Sequence, residues 1–275
     1  MSGRYSLWTE VRRQATRRRT HLTMGFMVAL PLIILLAFEF GNDSSDDNGG
    51  GQFGSLVDLA TSSGLNFALF TVAVSAGFLL VVVFALFFGD TVASEASWGS
   101  LRYLLAIPVP RGRLLGAKLL AALLSSVVAL VLLAGTALGV GTVRYGWHPL
   151  GSTIAAQIPP AAGLLRLLGV LAYLAVTLLI VAGLAFLLST LTDAALGAVG
   201  GAVLLWILSS ILDQITALGA IRNVLPTHYS DAWQGLLSTP IQDGDLAKGA
   251  ICAIGYATLF WAFAFWRFTR KDITS

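Results

Sequence analysis

Residues 21–40 read HLTMGFMVALPLIILLAFEF, and Glu39 is the only member of that run that is charged at neutral pH. A helix of about 20 such residues crosses a hydrocarbon core about 30 Å thick. Lipid offers no partners to backbone N–H and C=O groups, so the segment must satisfy them internally and be helical. Comparable runs recur at 65–89, 114–141, 164–188, 194–212 and 250–268. A chain with six of them is expected to be an all-α integral membrane protein with six transmembrane helices. Charged residues make up only 11% of the 275 positions, against about 25% in soluble domains. That is too few polar groups to cover a globular surface in water. The first run is also too long for the core of a cleaved signal peptide. FGNDSSDDNGGG follows it where a small-residue cleavage site would stand. It is read as a retained span, kinked at Pro31, and neighbouring helices can repair that defect.

The connecting segments carry the polarity. Residues 5–20 place Leu7, Trp8, Val11 and Ala15 on one side of a helix and Arg12, Arg13, Gln14 and Arg17 on the other. This pattern predicts an amphipathic helix at the membrane interface, its arginines meeting lipid phosphates. Residues 41–64 are rich in Gly, Ser and Asp and read as a flexible acidic loop, and 213–247 as a long outer loop. STLTD separates the fourth and fifth runs and predicts a tight antiparallel hairpin. Of the 17 Lys and Arg residues, 13 lie at the two termini and between 102 and 118. Cytoplasmic segments are enriched in Lys and Arg, so both termini and the segment 90–113 are assigned to the cytoplasm.

That segment, continued to Lys118, reads DTVASEASWGSLRYLLAIPVPRGRLLGAK. It is a long polar interruption held between two apolar runs, and so something outside the bilayer can grip it. The chain has no G-x-x-x-x-G-K-[ST] phosphate loop, so it does not bind ATP by that device. It has no H-E-x-x-H or G-x-S-x-G, and His21, His148 and His228 are dispersed. Cys252 is the only cysteine, which excludes an intrachain disulfide. Acids and bases are nearly absent from the cores of the six runs, which disfavours an ion-coupled secondary transporter. An intramembrane enzyme is disfavoured for lack of paired acids or metal ligands. Gly197 and Gly201 form a GxxxG pair and Gly135 and Gly139 another, suited to close helix approach within the chain or, for the first, between subunits.

The segment resembles the loop of type-2 ABC transporter permeases, the membrane subunits of many bacterial exporters. The residues that carry the resemblance are Glu95, Ala96, Gly99-Ser100-Leu101, Leu104-Leu105, Pro108, Arg111 and Lys118; Leu225-Pro226-Thr227-His228-Tyr229 resembles a second, weaker pattern. Ser100 stands where the family more often has Thr. The motif covers about a tenth of the chain, while the layout of spans and interfacial helix resembles the family throughout.

The resemblance implies one permease domain over residues 1–275 in the plasma membrane of a bacterium. A short cytoplasmic coupling helix, roughly 97–106, would lie between spans two and three. Two such subunits, identical or similar, would pair, and two separate ABC subunits would hold ATP and magnesium. This chain would then be no enzyme, hold no cofactor, and need no nucleic acid. Glu95, Gly99, Leu101, Arg102, Leu104, Leu105, Pro108 and Arg111 would couple it to the ATPase. Asp90 and Glu95 would sit before the coupling helix and favour the positive end of its dipole. Export of an amphipathic drug, antibiotic or lipid is the expected activity. The alternatives are an ion-coupled carrier, or a membrane anchor or immunity protein that transports nothing.

Overall fold

The computed structural model describes residues 7–41, 52–97, 110–151 and 157–270. Regular structure there is helical, apart from one antiparallel bridge between Leu150 and Ile158. In chain order the helices are α1 (Leu7–Ala15), α2 (Arg18–Gly41), α3 (Gln52–Thr61), α4 (Gly64–Ala76), α5 (Leu79–Ser97) and α6 (Arg111–Tyr145). They continue as α7 (Pro160–Thr177), α8 (Leu179–Leu191) and α9 (Ala195–Asp213). Two 3₁₀ segments, Thr216–Val224 and Ala232–Leu237, then lead into α10 (Gly244–Arg270). Five segments are long and apolar enough to cross a membrane: α2, α6, α7 with α8, α9 and α10. Helices α4 and α5 meet that standard only as a pair, bent by 58°.

The bend has a local cause. Thr71 and Ser75 turn their hydroxyls back onto Phe67 O and Thr71 O, one turn earlier, at 2.9 and 2.7 Å. Such back-bonding bends helices, and Gly77 follows with its low helix propensity. The ladder resumes where Val82 N–H donates to Phe78 O at 3.0 Å. Other boundaries follow capping rules. Ser63 accepts the N–H of Asn66 and caps α4. Pro160 opens α7 at the position where a missing N–H costs nothing. Gly146, at φ 77°, closes α6 in a conformation that few other residues adopt.

One expectation changes. The stretch read as a loop from 41 to 64 contains α3, whose Ala60 is buried. Ten residues beside a glycine-rich run give too short a periodicity to stand out. Within the outer loop 213–247 the chain forms two 3₁₀ segments, the first of them interrupted by Gly219 at φ 52°.

The core gathers α5 and α9 around α8, with α10 along the other side of α8. Val181, Ala182, Ala185 and Phe186 of α8 are buried, and Phe186 meets Phe88 of α5 edge to face at 6.4 Å. The phenylalanines of residues 65–89 mostly pack within the chain: Phe67, Phe84 and Phe87 are buried, while Phe78 is exposed. Helix α6 crosses α4 where Gly64 meets Gly141 and Thr142. A methyl group on Gly64 would lie 2.5 Å from Thr142 N and 2.8 Å from Gly141 C, both backbone atoms that cannot step aside. Gly135 and Gly139, by contrast, have open space outside them. Gly64→Ala is therefore expected to destabilise by about 1–3 kcal/mol through overpacking. Gly135→Ala is expected to be neutral or slightly stabilising. Thermal melting of the two variants in the same detergent checks the contrast.

Candidate functional site: a buried charge cluster at the ends of α1, α5 and α6

The polar segment's two flanks are well defined. Helix α5 runs on through Asp90 and Glu95 to Ser97, and α6 begins at Arg111. Gly99, Leu101, Arg102, Leu104, Leu105 and Pro108 lie outside the described residues, as does the expected coupling helix beyond Ser97. Asp90 and Glu95 occupy the last turns of α5, and the groups facing them are cationic side chains. Both are buried.

The spacing in α1 creates the other half of the cluster. Glu10, Arg13 and Gln14 recur at three- and four-residue intervals and so share one face, and Arg17 follows on in the bend between α1 and α2. That face turns into the protein: Glu10 is buried and Arg13, Gln14 and Arg17 are half-buried. The apolar side turns away, leaving Trp8 71% exposed. The amphipathic reading of this helix holds, but two of the arginines assigned to lipid phosphate bind carboxylates instead. Arg12 and Arg18 remain exposed.

Lys118, in the third turn of α6, is the centre. Its ammonium donates to Glu95 Oε1 at 2.5 Å, to Glu10 Oε1 at 3.0 Å and to Thr91 O at 3.3 Å. Arg13 pairs with the same Glu95 and lies 3.6 Å from Glu10. Arg17 donates to Asp90 Oδ2 at 2.8 Å and lies 3.8 Å from Glu95; Arg19 donates to Asp90 Oδ1 at 2.7 Å. Three carboxylates thus face four cations. Beside them, Ser189 of α8 accepts the backbone N–H groups of Val92 and Ala93, both at 3.0 Å. The result is a charged joint tying α1, α5 and α6 together on both sides of residues 98–109. Arg111, at the start of α6, reaches towards Thr269 O of α10 at 3.5 Å.

The remaining candidates sit elsewhere. Gly201 of α9 packs on Leu188 of α8, and an added Cβ would meet Leu188 Cδ1 at 3.2 Å. Gly197 is exposed, with only Thr192 and Ala194 near it. The face α9 buries is Ala198, Ala202, Trp206 and Ser209. Each histidine bonds locally: His21 to Arg17 O, His148 to Tyr145 O and His228 to Asp213. Among the described residues no three His, Cys, Asp or Glu side chains come together to hold a metal ion. Sequence reasoning missed Lys118 as the hub and Glu10, Arg13 and Arg17 as its partners. The signal available was the helical spacing of those three residues.

Residues 32–274 match the model of a family described as a protein of unknown function, DUF2705. The match includes Asp90, Glu95 and Lys118 and begins after α1. No curated protein matches the chain.

Removing one member of a buried ion cluster strands its partners without compensation, at a cost of about 3–5 kcal/mol. Lys118→Met should therefore lower the thermal midpoint strongly in detergent. Arg12→Ala, on the exposed side of α1, should leave it within error.

Proposed function

The chain belongs to the DUF2705 family, and we propose that it is the membrane-spanning subunit of an ATP-driven ABC exporter, moving an amphipathic compound. The observation that supports this reading best is the charged joint. Residues 98–109 lie between Ser97, two residues past Glu95 at the end of α5, and the start of α6 at Arg111, seven residues before Lys118; Glu95 and Lys118 hold each other. A load applied to the intervening segment reaches both helices and, through Glu10 and Arg13, the N-terminal helix as well. A motor protein needs such a rigid attachment to turn its own closure into helix movement. A segment joined to the bundle by flexible chain would absorb the stroke.

In this reading the bent pair α4–α5 is the second of six spans, and both termini and residues 98–109 face the cytoplasm of a bacterial cell. A separate subunit binds ATP and magnesium and docks on the coupling helix, roughly 97–106, through Gly99, Leu101, Arg102, Leu104 and Leu105, with Glu95, Pro108 and Arg111 at its edges. A second permease subunit completes the pathway, and the outward side of α9, with Gly197 and the exposed Leu196 and Leu204, is the surface assigned to it.

Mild solubilisation of native membranes, with capture through a tag on the chain, tests the coupling. A P-loop ATPase should co-purify in stoichiometric amount. Replacing Leu101, Leu104 and Leu105 together by Ser should release it without altering the melting temperature of the captured chain. Flux driven by an ion gradient through the purified chain alone, with no ATPase present, would overturn the proposal.

A further inference from the structure

A cavity of about 240 Å³ lies where the bend between α4 and α5 faces the junction of α7 and α8. Gly77 and Leu178 mark those two irregularities, Trp206 forms an apolar wall, and Asp213, His228 and Asp231 contribute the titratable groups. Irregular backbone at membrane depth is tolerated where it is buried in protein or lines a wet cavity. Helices α4 and α9 both end here, at Ala76 and Asp213, and helix C-termini carry partial negative charge.

Three of the four lining hydroxyls have given their hydrogen to backbone carbonyls. Thr177 donates its hydroxyl hydrogen to Tyr173 O or Leu174 O, Ser210 to Trp206 O and Ser230 to Thr227 O. Those oxygens keep only their lone pairs for anything in the cavity. His228 donates Nδ1–H to Asp213 Oδ1 at 2.6 Å, so in its neutral form its Nε2 is also an acceptor. Arg222 stands 3.5 Å from that same Oδ1 and is not part of the lining. No hydrogen bond reaches Asp213 Oδ2 among the described residues, and Asp231 also lines the cavity. Two carboxylates are thus set against one guanidinium; Gln214 and the Trp206 indole are the lining side chains with N–H groups, and Thr227 shares with Ser209, at 2.8 Å, a hydrogen bond in which either hydroxyl can donate.

We propose that this cavity is a binding site for the ammonium group of a small organic cation, with Asp213 as its anchor. The ligand must donate several hydrogen bonds and carry positive charge, which a primary ammonium does. A bare metal ion is disfavoured because no three ligating side chains converge here among the described residues. The volume lies below the usual range of about 300–1,000 Å³ for ligand pockets, so a head group or small amine fits and a bulky amphipath does not. The ammonium group can come from a free amine or from the head group of a phosphatidylethanolamine. The inference is independent of the ATPase, since binding is a property of the chain by itself.

The test is calorimetric titration of the purified full chain in a neutral maltoside detergent. Phenethylammonium should bind saturably, and the neutral isostere 2-phenylethanol about tenfold more weakly or worse. Asp213→Asn should abolish that preference, and Ser210→Leu, which fills the cavity from a different residue, should abolish binding. Asp193→Asn, at the turn between α8 and α9, should change nothing. Circular dichroism melts establish that each variant is folded. Competition by added phosphatidylethanolamine, with none by diacylglycerol, would identify the lipid as the source; absence of competition would identify a free amine. Equal affinity for the alcohol and the amine, or unchanged affinity in folded Asp213→Asn and Ser210→Leu, would overturn the proposal.

Discussion

An ammonium group withdrawn from water costs several kcal/mol unless opposite charges and hydrogen-bond acceptors surround it. Lys118, with 1% of its surface exposed, is such a group, and much of the arrangement at its end of the bundle answers to it. Glu95 comes from α5, Glu10 from α1, and the carbonyl of Thr91 completes the set. Those carboxylates in turn require Arg13 and Arg17. The cluster therefore dictates where the N-terminal helix lies, and it specifies the rotation of α5 and α6 about their own axes. Apolar packing between those helices would tolerate several rotations; a cluster of seven charged groups tolerates one.

The apolar contacts supply a different kind of constraint. Between α4 and α6 the backbones approach at Gly64 and Gly141, and Gly183 of α8 lies against Ala257 of α10. Lipid is as apolar as leucine, so helices in a bilayer gain little from hiding hydrophobic surface from one another. Close approach and fitted shape take over that role. Small residues at the crossings and the ion cluster at one end thus divide the work: the first sets distance, the second sets orientation.

Much of this was legible in the sequence, because the length and apolarity of a run translate directly into a helix. The extents of α2 and α9 follow from that rule to within three residues, α10 starts at Gly244, six residues before its apolar run, and Pro160 and Gly146 mark ends that elementary capping explains. The bend at Gly77 was not legible, since it depends on two hydroxyls back-bonding within a run that reads as uniformly apolar. Nor was the depth of Lys118. Counting charges along a sequence places that residue near the start of a span and so near water, whereas its burial depends on a face of α1 more than 100 residues away. The hydroxyls around the cavity were invisible for a similar reason, being Ser and Thr residues scattered over three segments. The motif residues between 99 and 108 form their pattern locally, and of the members that flank them the fold places both Glu95 and Lys118 among its buried charges.

Because Glu10 and Lys118 are 108 residues apart, the charged face of α1 is synthesised long before its partner. At about 5–20 residues per second the interval is about 5–20 s. During it, Glu10, Arg13 and Arg17 must stay hydrated or find temporary company, while α2 through α5 are already emerging. The first helix made is therefore among the last to find its place, and its docking reports that the opening half of the bundle has been assembled in the right order.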